Sequence, residues 1–158
     1  MPIATNSEKI DISSEVKTAG LAEKFSEILK KGDIVFFYGE IGAGKTTFIR
    51  YLIQNFQKKN KIKIEEVTSP TFNIVNEYDI GDFKVQHYDL FRIKNRREIE
   101  NIGLFENYEE ILTLIEWPEK INKTIDHKIS LIFEYSADTD QRILNIKGLK
   151  KEKLNVIK

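Results

Sequence analysis

The chain has no cysteine among its 158 residues, so disulfide bonds, thiolate catalysis and zinc–thiolate sites are excluded. It also lacks an apolar run long enough to span a membrane, and its N-terminus lacks the basic-then-apolar pattern of a signal peptide. Neither charge sign is in excess, because 25 Lys and Arg residues balance 25 Asp and Glu residues. Bulk charge is therefore not expected to recruit nucleic acid or a membrane surface.

What remains is the composition of a soluble globular protein, with 41% hydrophobic and 32% charged residues. The length predicts a single domain, residues 1–158, that is large enough to bury a core. The sequence shows no internal repeat. The segment 147–158 is rich in lysine, and we expect it to be a frayed basic tail.

A glycine-rich stretch at Gly39–Thr47 fits the phosphate-binding pattern G-x-x-x-x-G-K-[ST]. The apolar run Ile34–Tyr38 directly before it predicts a buried parallel strand. The apolar spacing of Phe48–Ile53 after it predicts a helix. Strand, glycine loop and helix are the context that this motif requires, so the stretch predicts an α/β fold built around a P-loop.

The residue types of this loop suit phosphate chemistry. Gly39, Gly42 and Gly44 allow backbone angles that a side chain would forbid, so the loop N–H groups can converge on phosphates at the start of the helix. Lys45 adds a mobile cation for the β- and γ-phosphates, and the Thr46 hydroxyl stands where Mg²⁺ would bind. The alternative, a glycine-rich turn with a solvated lysine, is disfavoured by the flanking strand and helix. Nucleotide use and the missing export signal favour the cytoplasm.

Two carboxylates are predicted at strand ends. Asp89 ends the predicted strand 83–89, on the same face as His87, and Glu116 directly follows the buried run Ile111–Ile115. An acid after a strand is where a P-loop fold holds Mg²⁺ through water, so either residue, or both, could take that role. A salt-bridged strand end is the alternative for Glu116. His87 is interpreted as a structural histidine, since Mg²⁺ rarely uses histidine ligands.

The segment after the P-loop helix contains Ser69, Pro70 and Thr71. In P-loop proteins this region often carries a hydroxyl that senses Mg²⁺ and the γ-phosphate, and either Ser69 or Thr71 could do so. A polar turn before a strand is an equally good interpretation. The charged run Lys58–Lys63 is interpreted as a solvated linker, with contact to RNA or an acidic partner as the alternative.

Further strands and helices are predicted around this unit. A short strand at 10–12 precedes a helix that Ser13 or Ser14 caps, that has Gly32 at its C′ position, and whose first residues could line an adenine. A helix is also predicted from 94 to about 103. The other predicted strands are 72–78 and 83–89, joined by a turn at 80–82, and then 129–135 and 142–147.

Three classes of protein could use such a loop. A switch GTPase is disfavoured, because Asn122–Ile125 lacks the acid of an Asn-Lys-x-Asp motif and no Asp-x-x-Gly follows a strand. A small-molecule kinase would need an arginine-rich lid, and the five arginines include only Arg92, Arg96 and Arg97 as candidates for a partial one. A small ATPase that works on a partner protein fits the compact size. The kinase and the ATPase both remain open on these residues alone.

Four stretches together resemble the bacterial TsaE (also YjeE) family of P-loop ATPases, which is needed for the threonylcarbamoyladenosine modification of tRNA. The stretches are Tyr38–Phe48, Ser69–Phe72, His87–Arg92 and Glu116–Glu119. The P-loop by itself is generic, but the order and spacing of all four are similar to the family's across nearly the whole chain.

This resemblance implies a P-loop NTPase-like α/β fold, in which helices flank a mixed sheet in a single domain. It implies that the protein binds ATP with Mg²⁺ and hydrolyses it slowly alone. It further implies a partner, the TsaB–TsaD complex that transfers threonylcarbamoyl to tRNA, and a role for ATP hydrolysis in resetting that complex between turnovers. Contact with tRNA would be indirect or weak, and no membrane would be involved.

The resemblance also implies roles for particular residues. Lys45, Asp89, Glu116 and Thr71 would be catalytic, and Thr46, Asp89 and Glu116 would lie at the metal. The nucleotide-binding residues would be Glu15, Gly39, Glu40, Ile41, Gly42, Ala43, Gly44, Lys45, Thr46, Thr47, Trp117 and Arg142. Arg142 marks a departure, since family members often carry Gly-Arg in the turn between the last two strands. This chain has Asp138–Gln141 there, so either Arg142 substitutes or that contact is absent.

Overall fold

The computed structural model describes residues 8–70 and 72–158, which form a seven-stranded mixed sheet with helices packed against it. The strands are β1 (Glu8–Asp11), β2 (Ile34–Tyr38), β3 (Val75–Asp79), β4 (Lys84–Asp89), β5 (Ile111–Glu116), β6 (Ile129–Ser136) and β7 (Gln141–Lys147). The helices are α1 (Glu15–Ile28), α2 (Lys45–Lys59), α3 (Arg96–Asn101) and α4 (Lys151–Ile157), with short 3-10 helices at Tyr108–Glu110 and Pro118–Lys120. None of the helices in these two ranges is long and apolar enough to cross a membrane.

The sheet is parallel at its centre and antiparallel towards its edges, in the order β1-β7-β6-β2-β5-β4-β3. β2 pairs in parallel with β5 and β6, and β4 pairs in parallel with β5. The edge pairs β3–β4, β6–β7 and β1–β7 are antiparallel. The carboxyl ends of the parallel strands therefore meet at one edge of the sheet, where the loops of such folds form binding crevices.

An aromatic cluster fixes α2 on one face of the sheet. The ring centroid of Phe48, in α2, lies 5.4 Å from that of Phe25 in α1. It lies 5.9 Å from Phe37 in β2 and also 5.9 Å from Phe133 in β6. All four side chains are buried. Because α2 begins directly after the glycine loop, packing of this cluster also sets the position of that loop.

The opposite face carries a smaller apolar cluster. Alternation along β2 directs Val35 and Phe37 to the helix face and Ile34 and Phe36 to this second face. The half-buried Trp117, directly after β5, packs against the second cluster. Both faces of β2 and β5 are thus covered, which explains why their sequences read as continuous apolar runs.

The strand–loop–helix unit predicted from the sequence is confirmed by β2 and α2. The predicted cap of α1 is confirmed too, because Ser14 accepts a hydrogen bond from the Lys17 N–H. The prediction for Gly32 is wrong, since Leu29 already caps the helix. The first strand of the hairpin begins at Val75 rather than Phe72, because residues 72–74 form a bend.

The end of the chain also differs from the prediction. Residues 151–157, expected to belong to a frayed tail, form α4 and pack against α1. Leu154 and Ile157 are only 4% and 2% exposed. Their spacing of three residues places both on one face of the helix, so this face anchors a segment whose other residues are mostly polar.

Candidate functional site

A cavity of about 670 Å³ lies at the carboxyl ends of β2, β4 and β5. It joins the glycine loop, the start of α1, the loop after α2 and the ends of β4 and β5. Its lining comprises Ile12, Ser13, Ser14, Glu15, Thr18, Ile41, Gly42, Gly44, Lys45, Thr46, Thr47, Arg50, Ser69, Pro70, Ile74, Asp89, Phe91, Arg92, Glu116, Trp117 and Arg142. Residues distant in the sequence thus form one site.

The glycine loop needs its glycines for two different reasons. Gly39 has φ +142, and a Cβ there would lie 2.7 Å from the Phe133 carbonyl oxygen, so the loop approaches β6 too closely for a side chain. Gly44 has φ +110 and is the N-cap of α2. It has no side chain to bond the first N–H groups of that helix. Those N–H groups, at the positive end of the helix dipole, are available to an anion in the cavity.

Lys45 lies at the start of α2 and is only 5% exposed. Its Nζ donates a hydrogen bond to the Gly39 carbonyl and lies 4.2 Å from the centroid of the Trp117 ring. Burial lowers the pKa of this amine, and the nearby carboxylates of Glu116 and Asp89 oppose that shift. The charge is therefore poorly hydrated, which increases the benefit of placing an anion beside it.

A pair of hydroxyls lies one residue further along. The Oγ1 of Thr46 and the Oγ of Ser69 are 3.0 Å apart. Of the two hydroxyls predicted to sense the metal, Ser69 therefore lies at the site. Thr71, the other candidate, lies outside the described residues, and its role stays a prediction.

The two predicted carboxylates are neighbours on adjacent parallel strands, since Asp89 and Glu116 are register partners of β4 and β5. Glu116 is 2% exposed, and its Oε2 lies 2.7 Å from the Nε2 of the fully buried His87. Asp89 is half-buried and accepts a hydrogen bond of 3.0 Å from the Phe91 N–H. Burial raises the pKa of Asp89 and the charge of Glu116 adds to this, while the bond from Phe91 opposes it.

These residues fit a magnesium ion. Thr46, Asp89 and Glu116 all line the cavity, and hydroxyl and carboxylate oxygens are the ligands that Mg²⁺ prefers. Over 8–70 and 72–158, no group of three or more His, Cys, Asp or Glu side chains could form a metal cage. Mg²⁺ does not need one, because it commonly uses one or two protein ligands together with water and phosphate oxygens.

The opposite rim of the cavity consists of more exposed side chains. Oε1 of Glu15, at the start of α1, accepts hydrogen bonds from Arg50 at 2.9 Å and from the Tyr51 hydroxyl at 2.7 Å. The guanidinium of Arg142 lies 4.4 Å from the centroid of the Tyr135 ring. Glu15 and Arg142, two positions predicted from the sequence, are therefore on the cavity wall.

Three predicted nucleotide-binding residues do not line the cavity: Gly39, Glu40 and Ala43. They shape the loop, and their contact with a nucleotide stays a prediction. The Glu40 carbonyl accepts a hydrogen bond from the Ala43 N–H at 3.2 Å, and the side chain of Ala43 is buried. Sequence reasoning also missed the hydrogen bond of His87 to Glu116, although the alternation along β4 had placed His87 on the same face as Asp89.

A central parallel strand, a glycine loop and a buried lysine at the following helix N-terminus define the class of P-loop α/β proteins. Within this class, the sequence matches a particular protein family. The family model described as "Threonylcarbamoyl adenosine biosynthesis protein TsaE" matches residues 12–144. The chain therefore belongs to the TsaE family.

Individual relatives agree with this assignment. A protein of Rickettsia typhi, named tRNA threonylcarbamoyladenosine biosynthesis protein TsaE, is 37% identical over 136 residues, which cover 86% of this chain and 92% of the relative. A protein of Aquifex aeolicus with the same name is 35% identical over 113 residues, or 72% and 78% of the two chains. The crystal structure of "Bacillus subtilus YdiB" superposes with a TM-score of 0.72 at 22% identity, covering 98% of this chain and 93% of YdiB, and this similarity confirms the predicted fold.

Proposed function

We propose that this protein binds ATP with Mg²⁺ in the cavity and hydrolyses it in support of the threonylcarbamoyladenosine modification of tRNA, acting on a TsaB–TsaD complex in the cytoplasm. The family and the names of its relatives support the link to tRNA modification. The observation that carries the ATPase part is the buried Lys45, which stands at the N-terminus of α2 in a cavity that Asp89 and Glu116 also line.

Binding of the phosphates would rest on the loop and the start of α2. The first N–H groups of α2 and the charge of Lys45 would receive the β- and γ-phosphates. Lys45 would then exchange its hydrogen bond to the Gly39 carbonyl for bonds to phosphate oxygens. The poor hydration of Lys45 makes this exchange favourable, since the amine loses little water when the anion arrives.

Thr46, Asp89 and Glu116 would hold the metal and the attacking water. When bound, Mg²⁺ would supply positive charge to the β- and γ-phosphates as charge develops during transfer. Thr46 offers a hydroxyl ligand, and the two carboxylates can orient metal-bound water or the water that attacks the γ-phosphate. Catalysis of this kind depends on positioning and charge neutralisation rather than on covalent chemistry by the protein.

The arginines support a dependence on the partner. Three arginines line the cavity in the described part of the chain, and each already has a neighbour. Arg50 bonds to Glu15, whereas Arg92 and Arg142 lie over aromatic rings. Because none of them is free to serve as an arginine finger without leaving its neighbour, we expect slow hydrolysis until the partner complex binds.

The test is ATP hydrolysis by the purified chain, alone and with TsaB–TsaD, with GTP as a control nucleotide. Strong stimulation by the complex, without phosphorylation of any small molecule, is the expected result. Equal rates with and without the complex would contradict the proposed partner. Transfer of phosphate to a small-molecule acceptor, with no response to the complex, would instead favour the alternative of a small-molecule P-loop kinase.

A further inference from the structure

We propose that His87 is a positioning residue that fixes the carboxylate of Glu116 for catalysis; this inference rests on the proposed ATPase function. The His87 ring is completely buried, and the Glu116 side chain is only 3% exposed. Their hydrogen bond, 2.7 Å from Nε2 to Oε2, joins two strands at the inner end of the cavity. Glu116 lines the cavity, whereas His87 does not, so its hydrogen bond reaches the cavity through Glu116.

Strand register explains how the two side chains meet. The Cα of Glu116 is paired with that of Asp89, and the Cα of His87 is paired with that of Leu114. The carboxylate of Glu116 nevertheless bonds to His87, the residue two positions before its register partner and deeper in the sheet. Because Oε2 is bonded to His87, the proposal leaves Oε1 to act on water in the cavity.

The environment makes this hydrogen bond important for Glu116. A buried carboxylate without a donor is costly, and the nearby cation, Lys45, is hydrogen-bonded to the Gly39 carbonyl instead. For the carboxylate to accept this hydrogen bond, the ring has to carry its proton on Nε2, and the proposal assigns that tautomer to His87. His87 thereby selects one rotamer of Glu116 before the substrate arrives, which lowers the cost of orienting the carboxylate during the reaction.

A role in packing alone would not favour a histidine here. The second ring nitrogen of His87, Nδ1, is buried and has no hydrogen-bond partner among the residues that the structure describes. A leucine at this position would avoid leaving such a nitrogen unsatisfied. The hydrogen bond to Glu116 is the polar contact that compensates for it, which points to the carboxylate as the reason for the residue type.

Two substitutions separate positioning from packing. His87→Leu fills the space without a donor, and His87→Gln keeps an N–H donor near the place of Nε2. In the presence of the partner complex, we expect His87→Leu to lower kcat by about 10- to 100-fold. This is the usual cost of removing a side chain that hydrogen-bonds to a residue at a metal site. The KM for ATP should change by less than about threefold, and His87→Gln should recover most of kcat. Wild-type kcat in His87→Leu, or a loss in His87→Gln as large as that in His87→Leu, would overturn the proposal.

A second readout does not need turnover. In a ¹⁵N-imidazole NMR spectrum at neutral pH, His87 should show an Nε2–H proton that is shifted downfield and protected from solvent. Glu116→Gln should move this resonance, and Asp89→Asn, on the neighbouring strand, should move it much less. A proton on Nδ1 instead, or a resonance unaffected by Glu116→Gln, would refute the pairing. If the wild-type protein hydrolysed no ATP even with the partner complex, the proposed function would fail, while this spectrum would still decide whether His87 orients Glu116.

Discussion

The two sides of the cavity are built differently. On one side, which we call the phosphate side because we propose that the phosphates bind there, Lys45 and Glu116 are buried. Each has a short contact to the backbone or to another buried side chain. On the opposite rim, Glu15 and its partner Arg50 have side chains that are 61% and 38% exposed. The phosphate side is therefore fixed by the packed core, whereas the rim is held by solvent-exposed ion pairs, each of which contributes little to stability.

This difference indicates where the specificity of the site originates. A preorganised, poorly hydrated cluster can discriminate charge and geometry strongly, because electrostatic interactions there are weakly screened. Exposed ion pairs rearrange easily and contribute little each. We therefore expect substitutions on the phosphate side to change activity or folding by orders of magnitude, and substitutions on the rim to tune affinity.

The largest effect is expected for Lys45→Ala. Loss of the buried cation should reduce ATP turnover or affinity by at least about 100-fold, the scale seen when a preorganised electrostatic group is removed. Folding should persist, because burial lowers the pKa of Lys45 and its charged form is thus disfavoured in the native state. An ATPase assay and titration calorimetry would measure turnover and affinity, and a thermal melt would measure folding. Lys58→Ala, which changes an exposed lysine of the same helix, is the control. Unchanged ATPase activity would refute the P-loop assignment.

Gly39→Ala tests how rigidly the phosphate side is built. A Cβ at this position would lie 2.7 Å from the Phe133 carbonyl, so we expect a loss of about 2–4 kcal/mol in the free energy of unfolding. Denaturant unfolding would measure it.

Two other glycines provide matched controls for this prediction. Gly42→Ala meets no atom within 4 Å and should cost only the strain of its positive φ, about 1 kcal/mol. Gly20→Ala lies inside α1 with open space around it and should stabilise by about 0.5–1 kcal/mol. Equal losses at Gly39 and Gly42 would show that contact with β6 does not constrain the loop.

On the rim, Arg142→Gln should weaken ATP binding by about two- to fivefold and leave kcat nearly unchanged, since a cation whose side chain is 30% exposed is still screened by solvent. The loss should shrink at high salt, because added ions screen this partly exposed charge further. Tyr135→Phe is a suitable control, because it keeps the ring that the guanidinium covers. A 100-fold loss would instead place Arg142 with the phosphate-side residues and remove the contrast between the two sides.

The smallest effect is expected for Asp11→Asn, beside the same rim. Asp11 accepts hydrogen bonds from Lys17 and Ser13, and these hold its pKa well below the ordinary value. The resulting stabilisation is present above the unfolded pKa of about 4 and is lost as the pH falls through the folded pKa. The Tm of the variant should be lower by about 1–2 °C at pH 7, and the difference should decrease as the pH is lowered below 4. A difference that grows on acidification would contradict this linkage.

Sequence reasoning was strongest where local pattern and tertiary structure agree. The apolar run of β2, the glycine loop and the start of α2 follow each other directly, so the position of Lys45 was predictable. The strand-end acids, Asp89 and Glu116, were predictable because β4 and β5 are parallel and their carboxyl ends coincide. The hydrogen bond of Glu116 to His87 was not predictable, since it depends on the register of β4 and β5 and on the rotamers of both side chains. The helix α4 was missed because only two buried residues, Leu154 and Ile157, anchor it, and the segment around them is rich in lysine.

The order of the strands has a consequence for biosynthesis. β1, the first strand described, pairs with β7, and Gly39 lies against β6. The cavity wall includes both Ile12 and Arg142. During translation, the glycine loop is therefore made long before the strands that hold it in shape. A nascent chain that stops before β6 carries the whole glycine-loop motif without the surface that shapes it. The nucleotide that we propose as ligand could therefore assist folding only after most of the protein has left the ribosome.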